Sequence, residues 1–361
     1  MNTVRLLLSG LALLVLGCSS TAPAPPPTRP VQVPASSPSP NPEPRPQVTI
    51  RIGVALGGGA AKGFAHIGVI KMLEANGLVP DVVAGTSAGS VVGALYAGGM
   101  DVFKLQQHAV GLDEARIRDV SLFSGGLIKG EKLQTYVNEM LEQRPFERLR
   151  KPFAVVATRL ETGERAVFVR GNVGQAVRAS CSIPGVFEPL KIGTRSYVDG
   201  GLVSPVPVDA ARQLGADFVI AIDISSKADG QTPDSMLGVL NQSITIMGQK
   251  LGQQELARAD VIIRPKVNDI GPVAFEQRSN AILEGERAAL QALPQIRAKL
   301  ARLREAKVQA EMTRIARERA ARAARERATR PVPANTQPCE DPGFLGGLLG
   351  GRTDCQPTDK R

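Results

Sequence analysis

Apolar residues recur along the middle of the chain in two patterns, as short continuous runs and as stripes at helical spacing. The short runs end at turn-forming residues, which is typical of strands buried in a sheet. The predicted strands span residues 50–56, 82–85, 153–158, 165–169, 196–198, 218–222 and 261–263. Helical stripes between them predict helices at residues 64–75, 90–97, 129–143, 173–179, 208–214 and 236–257. This alternation predicts an α/β fold with a mostly parallel central sheet covered by helices on both faces.

The N-terminal residues 1–17 have the pattern of an export signal. One basic residue, Arg5, precedes an apolar run over residues 6–16 that is too short to span a bilayer. The following Leu-Gly-Cys sequence resembles a bacterial lipobox, so we predict a lipoprotein signal peptide and a lipid anchor to the membrane at Cys18. An ordinary secretory signal with a chance cysteine is the alternative. Because Ser19 rather than aspartate follows, we expect the protein in the bacterial cell envelope, lipid-anchored at the outer membrane and facing the periplasm.

Composition divides the rest of the 361-residue chain into four parts. Residues 18–47 are dominated by proline, serine and alanine and predict the anchor followed by an extended linker. Residues 48–296 are predicted to form the folded domain. Residues 297–330 contain twelve Lys or Arg against four Glu, a balance of +8 within the formal net charge of +10, and predict a basic helix. Residues 331–361 are rich in proline and glycine and are predicted to be disordered.

A helical stripe of apolar residues leads into this basic helix and predicts packing on the core. Its members are Leu290, Leu293, Ile296, Leu300 and Leu303. Further along, the stripe thins to alanines. We interpret the basic helix either as a solvated tail or as an arm that contacts anionic lipid head groups or polyanionic wall components. We expect no nucleic acid partner for an exported protein.

Candidate chemistry begins with Ser87, in the sequence Gly85-Thr86-Ser87-Ala88-Gly89 behind a short apolar run. A serine between two glycines, after a strand and before a helix, is the pattern of a nucleophile elbow. Glycines at positions 85 and 89 let the strand and the helix approach the turn closely. The motif alone is weak, because a glycine-rich turn with a spectator serine has the same pattern.

A glycine loop lies about thirty residues upstream, as Gly57-Gly58-Gly59-Ala60-Ala61-Lys62-Gly63 after an apolar run. The dinucleotide-binding pattern requires a third glycine where Lys62 stands, and the phosphate-binding loop requires Ser or Thr directly after a Gly-Lys pair. Both nucleotide patterns therefore fail. Consecutive glycine amides can instead stabilise a developing oxyanion, so Gly57, Gly58 and Gly59 are candidates for an oxyanion hole.

A serine nucleophile also requires a base, and the chain has only two histidines, His66 and His108. In an α/β-hydrolase the histidine follows the serine and the acid, and this chain has no histidine beyond His108. His66 fits better as a packed residue that braces the glycine loop. The best candidate base is Asp199, which precedes Gly200 and Gly201 at the end of a short predicted strand. An Asp-Gly turn is also a common feature of ordinary hairpins.

The glycine loop, the serine elbow and the Asp-Gly-Gly turn, in this order, resemble the patatin-like phospholipase family and, within it, the bacterial members. The resemblance extends from residue 48 to residue 264 and includes residues 179–189 before the aspartate strand. It implies a patatin-like catalytic domain with Ser87 as nucleophile, Asp199 as base and no catalytic histidine. It makes Gly63, Gly85, Gly89, Gly200 and Gly201 supporting residues. Lys62 stands where the family often has arginine, so the charge is kept but the planar donor is lost.

The resemblance implies a serine acyl hydrolase that acts on lipid or phospholipid esters without a cofactor or a metal. The alternative is a non-catalytic envelope lipoprotein that keeps the fold as a binding or scaffolding module. Of the remaining cysteines, Cys339 and Cys355 are candidates for a disulfide, and Cys181 is expected to be a buried thiol.

Overall fold

The computed structural model describes residues 45–113, 117, 119, 128–227 and 233–329. The predicted signal peptide, Cys18, most of the linker, and the tail with Cys339 and Cys355 lie outside these residues. The strands are β1 (Ile52–Leu56), β2 (Val82–Thr86), β3 (Phe153–Arg159), β4 (Arg165–Phe168), β5 (Leu190–Ile192), β6 (Arg195–Asp199), β7 (Phe218–Ile222) and β8 (Val261–Ile263). The helices are α1 (Ala65–Ala75), α2 (Ala88–Ala97), α3 (Val102–Val110), α4 (Glu131–Met140), α5 (Val173–Ser180), α6 (Val208–Gln213), α7 (Met236–Leu256) and α8 (Arg278–Thr329).

Within the described residues, the eight strands form one sheet in the order β5-β6-β3-β2-β1-β7-β8, and β4 also pairs with β3. The five strands from β3 to β8 in this order are parallel to one another. The remaining strands are antiparallel to their neighbours. In a parallel sheet the carboxyl ends of the strands lie at one edge, and this is where ligands bind in open α/β folds.

Alternate residues of the central strands face two separate apolar clusters. Val54 and Leu56 point into a cluster shared with α1 to α5 and α8. Ala55, between them, points into a second cluster formed with α6 and the last turn of α7. The sheet is therefore covered by helices on both faces, and the predicted α/β fold is confirmed.

Two elements were not predicted from the sequence. β5 has three residues and pairs only with β6, so its apolar pattern is too short to stand out. α3 begins at the N-cap residue Asp101, whose side chain accepts hydrogen bonds from the amides of Phe103 and Lys104. Its exposed face includes Phe103, which obscures the helical stripe in the sequence.

The C-terminal part of the described chain is one long helix, α8, and the predicted boundary between residues 296 and 297 falls inside it. Leu293 and Ile296 are buried, and Leu300 and Leu303 are packed partly against the core. Leu290 is 49% exposed and does not belong to the packed face. None of the helices in the described ranges is long and apolar enough to cross a membrane.

Helices α1 and α8 cross at a pair of glycines. A Cβ atom at Gly68 would overlap the carbonyl oxygen of Ile282, and a Cβ atom at Gly285 would overlap the carbonyl oxygen of Ala65. The two backbones can approach this closely only because both positions lack a side chain. The crossing fixes α1, which follows the glycine loop, against the long helix.

We predict that Gly285→Ala lowers the free energy of unfolding by about 1–3 kcal/mol, because the added methyl group overpacks this crossing. Gly248→Ala is the matched control, since it also lies within a helix but its Cβ would find its nearest neighbour 3.8 Å away. The control should be neutral or stabilising by about 0.5–1 kcal/mol, because alanine favours the helix over glycine. Urea unfolding measures both. Equal stability of the two variants would contradict the close crossing.

Candidate active site

The carboxyl ends of β2 and β6 meet on one edge of β3. Thr86, the last residue of β2, is paired with Val156, and Asp199, the last residue of β6, is paired with the next residue, Ala157. The other edge of β3 is occupied by β4 at both positions. Because β2 runs parallel to β3 and β6 runs antiparallel, the two strands end facing each other. The topology thus brings Ser87, which follows Thr86, to Asp199.

Ser87 has a strained backbone at the start of α2, with φ 51° and ψ −125°. A non-glycine residue rarely adopts positive φ, and it persists only where neighbouring groups hold it. The N–H of Ser87 donates to Oγ of Ser180 at 2.8 Å, and the Ser180 hydroxyl donates to the carbonyl oxygen of Val156 at 2.5 Å. The Ser90 hydroxyl donates to the carbonyl oxygen of Ser87 at 2.6 Å. These three bonds hold the strained turn in place.

The flanking glycines allow the elbow to form. A Cβ atom at Gly85 would lie 2.5 Å from the carbonyl oxygen of Gly89, and one at Gly89 would overlap the carbonyl oxygen of Leu56. A Cβ atom at Gly63 would lie 2.6 Å from the Cβ atom of Ala88. The elbow and the glycine loop are therefore in backbone contact.

Asp199 is a buried carboxylate with one unpaired oxygen. Its Oδ1 accepts the N–H of Gly201 at 2.7 Å, while Oδ2 has no hydrogen-bond partner within the described residues. The backbone is fixed by bonds from the Asp199 N–H to Ser182 at 2.9 Å and from the Thr158 hydroxyl to the Asp199 carbonyl oxygen at 2.7 Å. Gly200 packs directly on β3, where a Cβ atom would overlap the carbonyl oxygen of Val156.

Burial raises the pKa of Asp199 from 3.8 to about 6. The hydroxyl of Ser87 and the N–H of Gly201 favour the ionised form and oppose this rise. Burial is the largest effect because a carboxylate loses its hydration in an apolar environment. A carboxylate with such a pKa is ionised at neutral pH and can accept a proton from a nearby hydroxyl group.

The glycine loop lies beside Ser87, since a Cβ atom at Gly58 would be 3.2 Å from the Cβ atom of Ser87. The N–H of Gly57 donates to Ile222 at 3.1 Å, and the N–H of Gly58 donates to Pro205 at 3.0 Å. Of the three predicted oxyanion-hole residues, Gly57 and Gly58 therefore have amides that are already paired. The N–H groups of Gly59 and Ala60 have no acceptor within the described residues.

The side chains of His66 and Lys62 stabilise the glycine loop through hydrogen bonds. His66 is fully buried on α1, and its Nε2 atom donates to the carbonyl oxygen of Gly57 at 2.8 Å. Burial lowers the pKa of His66 to about 4, so the ring is neutral at physiological pH. The Lys62 ammonium is also buried and donates to the Ser226 hydroxyl at 3.0 Å. His66 thus holds the loop at Gly57, and Lys62 ties the loop to Ser226.

Glu255, near the end of α7, fixes the segment that pairs with the loop. Its carboxylate accepts the Ser204 hydroxyl at 2.5 Å and the N–H of Val206 at 3.0 Å. The carbonyl oxygen of Ser204 accepts the Thr86 hydroxyl at 2.8 Å, and that of Pro205 accepts the N–H of Gly58. Burial raises the pKa of Glu255 to about 7, although both of its hydrogen bonds favour the ionised form.

Sequence reasoning missed Ser180 and Glu255. Ser180 lies in the stretch of residues 179–189 that carries the family resemblance, which was its only signal. Glu255 had none, because its partners are about fifty residues away. His108 is an exposed residue of α3 and makes no hydrogen bond to Ser87 or Asp199. Cys181 is a free, buried thiol whose pKa is raised by burial. No group of three potential metal ligands occurs within the described residues.

Comparison with known proteins supports the resemblance seen in the motifs. Residues 54–212, which include the glycine loop, Ser87 and Asp199, match the family model for patatin-like phospholipase. An uncharacterized NTE family protein of Mycobacterium tuberculosis is 35% identical over 188 residues, which cover 50% of this chain and 51% of the relative. A second NTE family protein of that organism is 30% identical over 276 residues, covering 68% of this chain and 47% of the relative.

A mouse relative, named patatin-like phospholipase domain-containing protein 6, is 34% identical over 183 residues, which cover 48% of this chain and 13% of the mouse protein. The chain spans about half the length of the mycobacterial relatives that it matches. The similarity is therefore to a patatin-like domain. The residues that match the family model include the ends of β2 and β6 where they meet at β3.

We predict that Asp199→Asn stabilises the protein at neutral and alkaline pH. The pKa of Asp199 is higher in the folded protein than in the unfolded chain. Its contribution to the free energy of unfolding therefore decreases as pH rises from about 4 to about 6, and it stays low above that. The variant should gain about 3 kcal/mol at about pH 8, with the gain vanishing toward about pH 4.

Asp209→Asn is the control of opposite sign, because hydrogen bonds from Arg258 and Arg165 lower the pKa of that carboxyl. It should destabilise the protein at alkaline pH. Thermal unfolding across this pH range measures both variants. An Asp199→Asn protein no more stable than wild type at alkaline pH would contradict the buried, ionised carboxylate.

Proposed function

We propose that the protein is a serine acyl hydrolase that cleaves lipid or phospholipid esters with a Ser87–Asp199 dyad. One observation carries the proposal: β2, which ends just before the strained Ser87, and β6, which ends at the buried carboxylate of Asp199 with its unpaired oxygen, pair with consecutive residues of β3. The match to the patatin-like phospholipase model supports a lipid ester as the substrate class. Phospholipid, lysophospholipid and neutral ester all belong to that class.

In the proposed first step, Oγ of Ser87 attacks the ester carbonyl carbon while its proton passes to Oδ2 of Asp199. The carbonyl oxygen becomes an oxyanion, and the N–H groups of Gly59 and Ala60 donate to it, because those of Gly57 and Gly58 are paired. The N–H of Ala88, at the start of α2, also has no acceptor within the described residues and is a third donor. Donors held in advance for this oxygen stabilise the transition state.

The tetrahedral intermediate collapses when the alcohol leaves with the proton from Asp199, and an acyl-enzyme remains on Ser87. Water then attacks the acyl carbon and gives its proton to Asp199, and the fatty acid leaves as Ser87 recovers its proton. Asp199 acts in both halves only when it begins ionised. Because its pKa is about 6, the rate should fall as pH decreases through that value.

The alternative of a non-catalytic scaffold explains less. A binding module gains nothing from a serine at φ 51° or from a buried carboxylate with an unpaired oxygen. Both features reduce stability, by about 1–3 kcal/mol for the strained backbone alone. A catalytic role gives each of them a purpose.

We also propose that the protein is a lipoprotein of the bacterial cell envelope, anchored through Cys18 and delivered to the outer membrane. The support is the N-terminal sequence, with its short apolar run and its lipobox-like Leu-Gly-Cys. The C-terminal part of α8, residues 316–329, is exposed and carries an excess of arginine. We propose that it contacts anionic lipid head groups, which attract clustered basic residues near a membrane surface.

Ser87→Ala and Asp199→Asn should each reduce hydrolysis of a short-chain chromogenic ester on the order of a thousandfold or more, because each removes one half of the dyad. His108→Ala is the control and should retain the wild-type rate. Circular dichroism checks that all three variants are folded. Loss of acyl-enzyme labelling in a folded His108→Ala protein would overturn the dyad.

Cys18→Ala should abolish lipid modification when the full chain is expressed in a bacterium that processes lipoproteins. The wild-type protein should partition into the detergent phase and begin at a modified Cys18, whereas the variant should remain uncleaved or become soluble. Mass spectrometry of the mature N-terminus measures the difference. An unmodified wild-type N-terminus at another residue would leave an exported hydrolase without an anchor.

A further inference from the structure

The buried residues of helix α7 lie at its C-terminal end. Gly252, Glu255 and Leu256 are buried, but no described side chain in residues 236–251 is buried. Five of the fourteen large apolar residues that are exposed in the described chain lie on the N-terminal part of this helix, residues 236–247. They are Met236, Val239, Leu240, Ile246 and Met247. We call residues 236–249 the α7 apolar surface.

The α7 apolar surface contains no charged residue over its whole length. A helix that faces water normally carries charged side chains on its exposed side, and a cluster of exposed apolar residues marks an interaction surface. Exposed lysines adjoin its C-terminal end. Lys250 follows it directly, and Lys227 is next to Ser226, whose carbonyl oxygen accepts the side-chain amide of Gln249 at 3.4 Å.

This surface begins at the edge of the candidate active site. A Cβ atom at Gly248 would lie 3.8 Å from the carbonyl oxygen of Gly201, in the turn that follows Asp199. Gln249 reaches Ser226, which also binds the ammonium group of Lys62 from the glycine loop. The C-terminal end of the α7 apolar surface therefore lies beside the turn after Asp199 and beside the partner of Lys62.

We propose that the α7 apolar surface docks the protein onto a phospholipid bilayer with anionic head groups, and this proposal rests on the proposed lipid ester hydrolysis. Apolar side chains at the acyl boundary gain from leaving water, and the two lysines match the charge of the head groups. Charged groups within a protein interface fix the register of the partner. Residues 236–249 contain no charged group that could fix the register of a protein partner, whereas a lipid surface requires no fixed register.

The occupancy of this surface can be measured with an environment-sensitive fluorophore on a single cysteine. Leu240→Cys and Leu290→Cys are matched probes, because both leucines lie on helices and are 47% and 49% exposed. The background is the full chain with Ser87→Ala and with Cys18, Cys339 and Cys355 changed to serine. Cys181 remains, since its thiol is buried. Any membrane binding by the N-terminal apolar run is common to both proteins.

On vesicles of phosphatidylcholine and phosphatidylglycerol, emission from position 240 should shift to the blue and rise several-fold. Emission from position 290 should not change, and the response at 240 should be weaker on phosphatidylcholine alone. An unchanged emission at 240, or an equal response at 290, would overturn the proposal. A blue shift at 240 without vesicles that grows with protein concentration would show that a second copy covers the surface, which would also overturn it.

The activity of polar variants is a second test. Val239→Gln with Leu240→Gln should lower the ratio of vesicle hydrolysis to short-chain ester hydrolysis by about tenfold or more, because two side chains lose their burial in lipid. Val110→Gln with Leu290→Gln is the matched control and should leave the ratio unchanged, since Val110 is 48% exposed and Val239 is 50% exposed. An unchanged ratio in the first variant would contradict docking.

The fluorescence test requires no catalysis, so the two proposals fail separately. If wild-type protein hydrolyses no ester but position 240 enters the bilayer, then the proposed reaction is wrong. If it hydrolyses vesicle lipid and position 240 stays in water, then the docking surface is wrong.

Discussion

The site depends on one constraint in the sheet. Strands β2 and β6 pair with the same edge of β3 and end facing each other. β2 leaves this edge at Val156, and β6 occupies it from Ala157 onward. Side chains alternate along a strand, so a slip of one residue in β6 would turn the Asp199 side chain to the other face of the sheet. The register is secured by the Thr158 hydroxyl, which binds the Asp199 carbonyl oxygen, and by the Asp199 N–H, which binds Ser182.

This junction contains two features that oppose folding, a strained backbone at Ser87 and a buried carboxylate at Asp199. Hydrogen-bonded neighbours stabilise this junction. Ser180 bridges the Ser87 N–H to β3, and His66 and Glu255 hold the loops on either side. Buried polar groups of this kind are stable only when they are hydrogen-bonded, so each of them specifies one arrangement of the loops.

The sequence predicted the central strands well because strands buried on both faces appear as continuous apolar runs. The predicted strands at residues 218–222 and 261–263 have the bounds of β7 and β8. Ser87 and Asp199 were selected as candidates because each lies in a local motif with glycines. The pairing of the Gly57 and Gly58 amides could not be predicted, since their acceptors, Ile222 and Pro205, are distant in the sequence. For the same reason no local pattern indicated Glu255.

Glu255 links helix α7 to the segment that holds the elbow and the glycine loop. Glu255 binds Ser204 and Val206, and the carbonyl oxygens of Ser204 and Pro205 bind Thr86 and Gly58. A coupling between distant sites requires an element with two discrete arrangements, and these bonds describe a single one. The helix is therefore better understood as a fixed platform than as a switch. Its position relative to Ser87 is set by hydrogen bonds that lead through Ser204 and Pro205 to Thr86 and Gly58, so a bilayer that binds α7 would meet a site already formed.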